Sequence, residues 1–151
     1  MKTKTLAIDP GGTNGIARCE QMLTIQTSID TIIADQVDGK ELDLWNYLVK
    51  ENPTHIVYEA FTFRQGVTGI DYAPAERIGV IKLYCQLYGI TSSSMTSAEG
   101  KNFWVDKKIK ALGLWVPGLK HGMDATRILL AHLMKNNQYK QVLIELLKDK
   151  L

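Results

Sequence analysis

Three acidic residues stand where packing explains an acid least well. Asp9 ends the apolar run Leu6-Ala7-Ile8 and is followed at once by Pro10-Gly11-Gly12. Glu59 ends a second run, Ile56-Val57-Tyr58. Asp124 closes His121-Gly-Met-Asp124, just as an apolar-periodic stretch with Met123, Ile128, Leu130, Leu133 and Met134 begins. An ionised carboxylate at the edge of a core is costly unless it is paired or binds a cation. Taken singly, each has a plainer reading. Asp before Pro-Gly-Gly opens a turn, and Asp124 complements a helix start. Glu59 has no lysine or arginine nearby in sequence to pair with. His121 alone reads as a loop histidine, although spacing of three puts it on one face with Asp124.

Together the acids suggest a chemistry. Hard divalent cations such as Mg²⁺ take oxygen ligands, and clustered carboxylates supply them while neutralising the charge. Two such ions about 3.5–4 Å apart can clamp a phosphodiester, activating water on one side and stabilising the leaving oxygen on the other. Asp9, Glu59 and Asp124 are then the metal ligands, with Mn²⁺ able to replace Mg²⁺. His121 is a fourth, neutral ligand or a group that orients the attacking water.

The elements that must bring these residues together can be read from periodicity. Residues 5–9, 15–19 and 22–28 read as three strands in a meander, with Glu20-Gln21 at the second bend. Residues 38–52 read as a helix with Leu42, Trp45, Leu48 and Val49 on one side, closed by Asn52-Pro53. Residues 54–60 form the strand carrying Glu59. A helix over 73–88 has an apolar side that includes Ile78, Ile81, Cys85 and Tyr88, and a fifth strand covers 90–95. Thr96 and Glu99 have capping-box spacing for a helix running through Lys110. A glycine- and proline-containing loop at 112–120 leads to helices at about 122–135 and 138–148. This order predicts an α/β fold, a five-stranded mixed sheet flanked by helices. The two acid-bearing strands place Asp9 and Glu59 at their carboxyl ends, where α/β sheets bind ligands.

Size and composition narrow the classes further. The 151 residues fit a single domain over 1–151 with a sizeable core. No stretch approaches the ~20 apolar residues of a membrane span, and the start does not read as a signal peptide. Cys19 and Cys85 lack metal or redox spacing and suit a reducing cytoplasm. The net charge of +2 says little, but its distribution is uneven. Residues 29–51 hold six acids against two lysines, and residues 99–120 hold five lysines against two acids. That asymmetry fits a protein meeting a polyanion on one face, or two solvated helix surfaces.

At the acid-bearing motifs the sequence resembles the RuvC-like Holliday junction resolvases of the RNase H-like superfamily. The matching pieces are Leu6-Ala7-Ile8-Asp9-Pro10-Gly11 with Gly15 downstream, Ile56-Val57-Tyr58-Glu59 with Phe61 beyond, and His121-Gly122-Met123-Asp124-Ala125. Their order and spacing agree across nearly the whole chain. The resemblance implies an RNase H-like fold and a homodimer whose two sites cut opposing strands of a four-way DNA junction. It implies 5′-phosphate and 3′-hydroxyl ends, and catalytic metal ligands at Asp9, Glu59, Asp124 and His121, where the family places a His or Asp. A short, phage-type member acting in a bacterial or host cytoplasm is expected. Two departures bear on substrate choice. The family often has a phenylalanine three residues after the glutamate, where this chain has Thr62 between Phe61 and Phe63. The lysine-rich segment 101–110 follows the family pattern only loosely.

DNA-facing candidates follow from position. Phe61, Phe63, Arg64 and Gln65 leave the glutamate strand on a loop with Gly66 and Gly69, where aromatics can stack on unpaired bases and Arg64 can meet phosphate. Both phenylalanines also have a core reading. Lys101, Lys107, Lys108 and Lys110 are candidate phosphate contacts or solvated helix lysines. Two other substrates or roles share the fold: RNA–DNA hybrids or flaps as nuclease targets, and junction binding without catalysis. Asp9-Pro-Gly-Gly-Thr-Asn14 also looks like the first phosphate loop of sugar kinases. That reading needs a second lobe and leaves Glu59 and Asp124 unexplained.

Overall fold

A computed structural model of the chain describes residues 3–21 and 31–151. Five strands, β1 (Thr3–Asp9), β2 (Thr13–Gln21), β3 (Ile32–Asp38), β4 (His55–Glu59) and β5 (Thr91–Met95), form one sheet in the order β3-β2-β1-β4-β5. The first three run antiparallel as a meander, and β4 and β5 join β1 in parallel. The helices are α1 (Glu41–Glu51), α2 (Ala73–Tyr88), α3 (Ser97–Lys101), α4 (Asp106–Ala111), α5 (Lys120–Leu133) and α6 (Asn137–Lys148). This is the expected RNase H-like arrangement, with helices on both faces of a mixed sheet.

Period-two alternation in the central strands divides the interior into two cores. Leu6, Ile8, Ile56 and Tyr58 face α1 and α2, packing with Leu44, Leu48, Ile78, Ile81 and Tyr84. Ala7, Val57 and Ala17 face the other way, onto α5, α6 and Trp104. The sheet-facing side of α5 is filled by Met123, Ala125, Ile128, Leu129 and Leu130, all buried. Small residues on the strands beneath them let α5 sit close to the sheet. No described helix is long and apolar enough to cross a membrane.

Several boundaries differ from the sequence expectation. β2 runs through Glu20 and Gln21 rather than bending there, and the third strand is Ile32–Asp38. The expected strand over 22–28 lies outside the described residues. β3 is an edge strand, and edge strands tolerate the acids Asp35 and Asp38 that disguised it as loop. Residue 38 therefore ends a strand, Gly39 turns the chain at φ +115, and the helix starts at Glu41. Its buried side is Leu44 and Leu48, whereas Leu42 is 67% exposed and Val49 is also exposed. Tyr88 likewise stands exposed at the end of α2.

The Thr96–Glu99 capping box is present, with the Glu99 N–H donating to Thr96 Oγ1 and the Thr96 N–H donating to the Glu99 carboxylate. The helix it starts stops at Lys101 instead of reaching Lys110. A turn over residues 102–105, helical at Asn102 and extended by Val105, carries the Trp104 side chain fully into the core. Burying so large an apolar ring outweighs continuing one short helix.

Candidate metal centre and nucleic-acid surface

The register of β1 and β4 decides where the acids go. Ile8 pairs with Tyr58, so Asp9 and Glu59 each lie one residue beyond that pair, at the same level on adjacent parallel strands. Ile8 and Tyr58 face α1 and α2, so alternation turns Asp9 and Glu59 to the α5 side. There the amino-terminal end of α5 brings His121 from its first turn and Asp124 from its second. Ligand-capable atoms of Asp9, His121 and Asp124 all lie within 4.8 Å of one another. Glu59 borders the same 360 Å³ cleft as Asp9, which Phe61 and Arg64 also line.

Glycine makes this convergence possible. Gly15 pairs with Asp9 across β1 and β2, and a Cβ there would collide with the backbone carbonyl of His121. A side chain at Gly122 would meet Leu119 at 2.7 Å and the Asp35 carbonyl at 2.8 Å. The amino end of α5 therefore rests against bare backbone of β2, one strand away from Asp9. The turn after Asp9 is tied from within by fully buried Asn14. Its side chain accepts from the Gly11 N–H and donates to the Val37 carbonyl. Asn14 thus has a structural task that accounts for the phosphate-loop likeness.

The electrostatics are those of anions held together with too little neutralisation. Burial, then the charge of Glu59, then that of Asp124 push the Asp9 carboxyl from 3.8 up to about 6. His121 opposes the shift, with Nδ1 3.4 Å from the Asp9 carboxylate, longer than a good hydrogen bond. Asp124 is better served. Arg127, one turn along α5, donates to Asp124 Oδ1 at 2.8 Å. The same guanidinium donates to Asp106 and to the Trp104 carbonyl at 3.0 Å, tying α5 to the start of α4. Arg127 was missed in the sequence reading, although its i,i+3 spacing from Asp124 is a readable signal.

Hard oxygen donors, an imidazole and a carboxyl pushed upward by neighbouring anions are what a divalent cation would relieve. The donor set fits such an ion. Asp124 Oδ1 is held by Arg127.

The remaining candidates divide into groups. Phe63 is 58% exposed, and Arg64 and Gln65 are exposed beside it on the loop after β4. Phe61 is half-buried against the α1–α2 core. Lys101 and Lys107 are exposed on the rim of a second cleft, of about 760 Å³, that Asp124 also borders. The Lys108 ammonium instead sits over Phe103, 3.4 Å from the ring centroid, and that of Lys110 over Trp115 at 4.6 Å. Asp9 and Glu59 thus line one cleft and Asp124 the other, with Asp9 and Asp124 meeting in the same cluster.

No protein-family model and no curated protein matches the chain. Solved structures do. One is Thermus thermophilus RuvC in complex with Holliday junction substrate, similar with a TM-score of 0.64 at 16% identity, over 93% of this chain and 96% of that one. The yeast mitochondrial Holliday junction resolvase Ydc2 gives a TM-score of 0.57 at 17% identity, over 99% and 85% of the two chains. The fowlpox virus Holliday junction resolvase gives 0.58 at 13% identity, over 88% and 99%. The chain has the RNase H-like fold of the RuvC-type resolvases.

Proposed function

We propose that these 151 residues act as one metal-dependent endonuclease unit that cuts branched DNA, with the four-way junction as its main substrate. The observation that carries this reading is the convergence of Asp9, His121 and Asp124 within 4.8 Å, with Glu59 on the same cleft. Likeness to resolvase structures supports the substrate, including one solved with a junction.

Asp9, Glu59, Asp124 and His121 would hold two Mg²⁺, or Mn²⁺ in their place. When bound, the ions supply Lewis-acid polarisation of the scissile phosphate and a more acidic water. The chain's own residues do the rest. Arg127 fixes the Asp124 carboxylate so that one oxygen keeps a constant aim. His121, 43% exposed, would act as that fourth ligand or, in its place, as the group that orients an entering water. Arg64 and the exposed lysines meet flanking phosphates, which makes binding salt-sensitive. The products are a 5′-phosphate and a 3′-hydroxyl.

Cutting two opposed strands calls for two copies, and the outer face of α2 supports a homodimer. Leu83 and Leu87 are 51% and 66% exposed at i,i+4 spacing. The test is cleavage of labelled four-way junction, flap, RNA–DNA hybrid and linear duplex, with Mg²⁺ or EDTA, by the wild type and Asp124→Asn. Junction cutting that needs Mg²⁺ and is lost in the variant, with binding retained, is the expected result. Equal cutting by the variant overturns the site. Preference for the hybrid overturns the substrate.

A further inference from the structure

We propose that the cleft beside Asp124 holds an unstacked nucleotide next to the cut phosphate, so that the nuclease selects DNA whose bases are already open at the scission point. This inference rests on the nuclease reading and adds to it the feature of the substrate that is read.

The cleft, about 760 Å³, falls within the roughly 300–1,000 Å³ of sites that enclose small ligands. Its chemistry is divided. Lys101, Lys107 and Lys120 are exposed on its lining and have no carboxylate partner among the described residues. Its two acids, Asp106 and Asp124, both meet Arg127. Four cations against two carboxylates make the mouth suited to an anion. Its walls include Trp115, whose ring also carries the Lys110 ammonium 4.6 Å from its centroid, with Val116 and Leu119, and Val116 is 41% exposed.

Phosphates account for the lysines and not for the walls. A continuous duplex presents sugar and phosphate to a surface beside the cut strand, and its base faces are covered by their neighbours. An apolar wall gains nothing from phosphate, which stays hydrated. An unstacked base offers a bare, flat, largely apolar face, and an indole is a good surface for it because every base has one. Lysines at the mouth for the backbone and an aromatic wall for the base are the two parts of a single-strand site. Because Asp124 borders both the metal cluster and this cleft, the base held there is adjacent to the reacting phosphate. A branch point supplies such a base readily, whereas intact duplex must first be unstacked. Junction preference would then arise within each copy, in addition to any contribution from the arrangement of two copies.

The experiment measures binding in EDTA, where no cutting occurs. The probes are the tetranucleotide dT4, dT4 with one abasic position, and a short blunt duplex. Trp115→Ala is expected to weaken dT4 binding about 5- to 150-fold, the range for one lost base stack, with duplex binding unchanged and Trp115→Phe restoring most of the loss. Because Trp115 also touches the core, exposed Val116→Asp provides the second variant. It places a carboxylate at the mouth and is expected to weaken dT4 binding about tenfold without changing the melting temperature. Abasic dT4 should bind wild type as weakly as dT4 binds Trp115→Ala. If Val116→Asp and Trp115→Ala bind dT4 as wild type does, or if Trp115→Ala loses duplex affinity equally, the proposal is overturned. Loss of cutting in Asp124→Asn with these dT4 results intact would leave this inference standing. Persistent cutting by Asp124→Asn would instead overturn the assignment of the cut to the Asp124 site, on which this inference rests.

Discussion

Replacing Asp9 with asparagine should make the metal-free protein more stable, and the size of the gain can be worked from the site. Asparagine keeps the shape and removes the charge. The folded state holds the Asp9 carboxyl at about 6 against an ordinary 3.8, chiefly through burial and then through Glu59 and Asp124. Every tenfold rise in proton affinity corresponds to about 1.4 kcal/mol, so ionised Asp9 destabilises the fold by about 3 kcal/mol at pH 8. The side chain is only 17% exposed, so solvent screening removes little of this. The long contact with His121 is lost in the variant and is worth under about 1 kcal/mol. Burial and crowding win. For a domain of this size about 3 kcal/mol moves the melting temperature by roughly 6–12 °C.

The sign depends on pH in a defined way. A raised carboxyl means that the folded state binds the proton more tightly than the unfolded chain. Stability associated with Asp9 is fully present below about 3.8 and is lost as pH rises through about 6. The gain from Asp9→Asn should therefore be largest at pH 7–8 and shrink toward zero near pH 4. Thermal melts of both proteins in EDTA at pH 4, 6 and 8 read this directly, with exposed Glu20→Gln as a neutral control. Saturating Mn²⁺ should stabilise the wild type by about 2.7 kcal/mol at 100 times its Kd and the variant by much less. An Asp9→Asn protein no more stable than wild type at pH 8, or equally favoured at pH 4 and pH 8, would refute the account of the anion cluster.

Three further outcomes follow from the same geometry. Gly15→Ala drives a methyl into the His121 backbone and should cost about 1–3 kcal/mol. Melting shows the cost, and cleavage should fall because the amino end of α5 must move away from Asp9. Arg127→Met removes charged hydrogen bonds to Asp124, Asp106 and Trp104, and should lower the EDTA melting temperature by roughly 4–12 °C for a loss of about 2–3 kcal/mol. Added Mn²⁺ should recover more of its stability than it gives the wild type. Leu87→Asp on the outer face of α2 should shift sedimentation from dimer to monomer and reduce paired cuts to single nicks, with little change in melting per chain.

The legible parts of this molecule were those in which one pattern had one physical meaning. Apolar runs ending in an acid, Leu6-Ala7-Ile8-Asp9 and Ile56-Val57-Tyr58-Glu59, became adjacent central strands ending at the same level. The Thr96–Glu99 cap was readable because its two hydrogen bonds are local. Errors arose where tertiary context set the outcome. β3 is an edge strand whose acids are met by Tyr47 and Thr13, contacts distant in sequence, so an alternation with Asp35 and Asp38 carried no strand signal. Trp104 broke a helix that local propensity favoured, because the core on the α5 face needed its ring. The unusual α2, apolar on opposite sides, carries Ile78, Ile81 and Cys85 inward and Leu83 and Leu87 outward. A helix apolar on two sides has two surfaces to cover, and among the described residues only one of them is covered.

Arg127 connects the two halves of the site. Its guanidinium neutralises Asp124 and Asp106 on the side of the lysine-rimmed cleft, and no lysine or arginine reaches Asp9 among the described residues. Unrelieved charge is thereby concentrated on the sheet side, between Asp9 and Glu59, where the carboxyl is already pushed upward. A cation entering the cluster gains most there, and it finds Asp124 already oriented. On the proposed reading, a permanent cation would set the ligand on the helix, and the ligands on the strands would be neutralised only by a bound metal. In this arrangement Arg127→Met should loosen the Asp124 ligand and leave the Asp9 titration nearly unchanged. Glu59→Gln should do the reverse, bringing the Asp9 carboxyl down toward 3.8, as ¹³C-carboxyl NMR in EDTA would report.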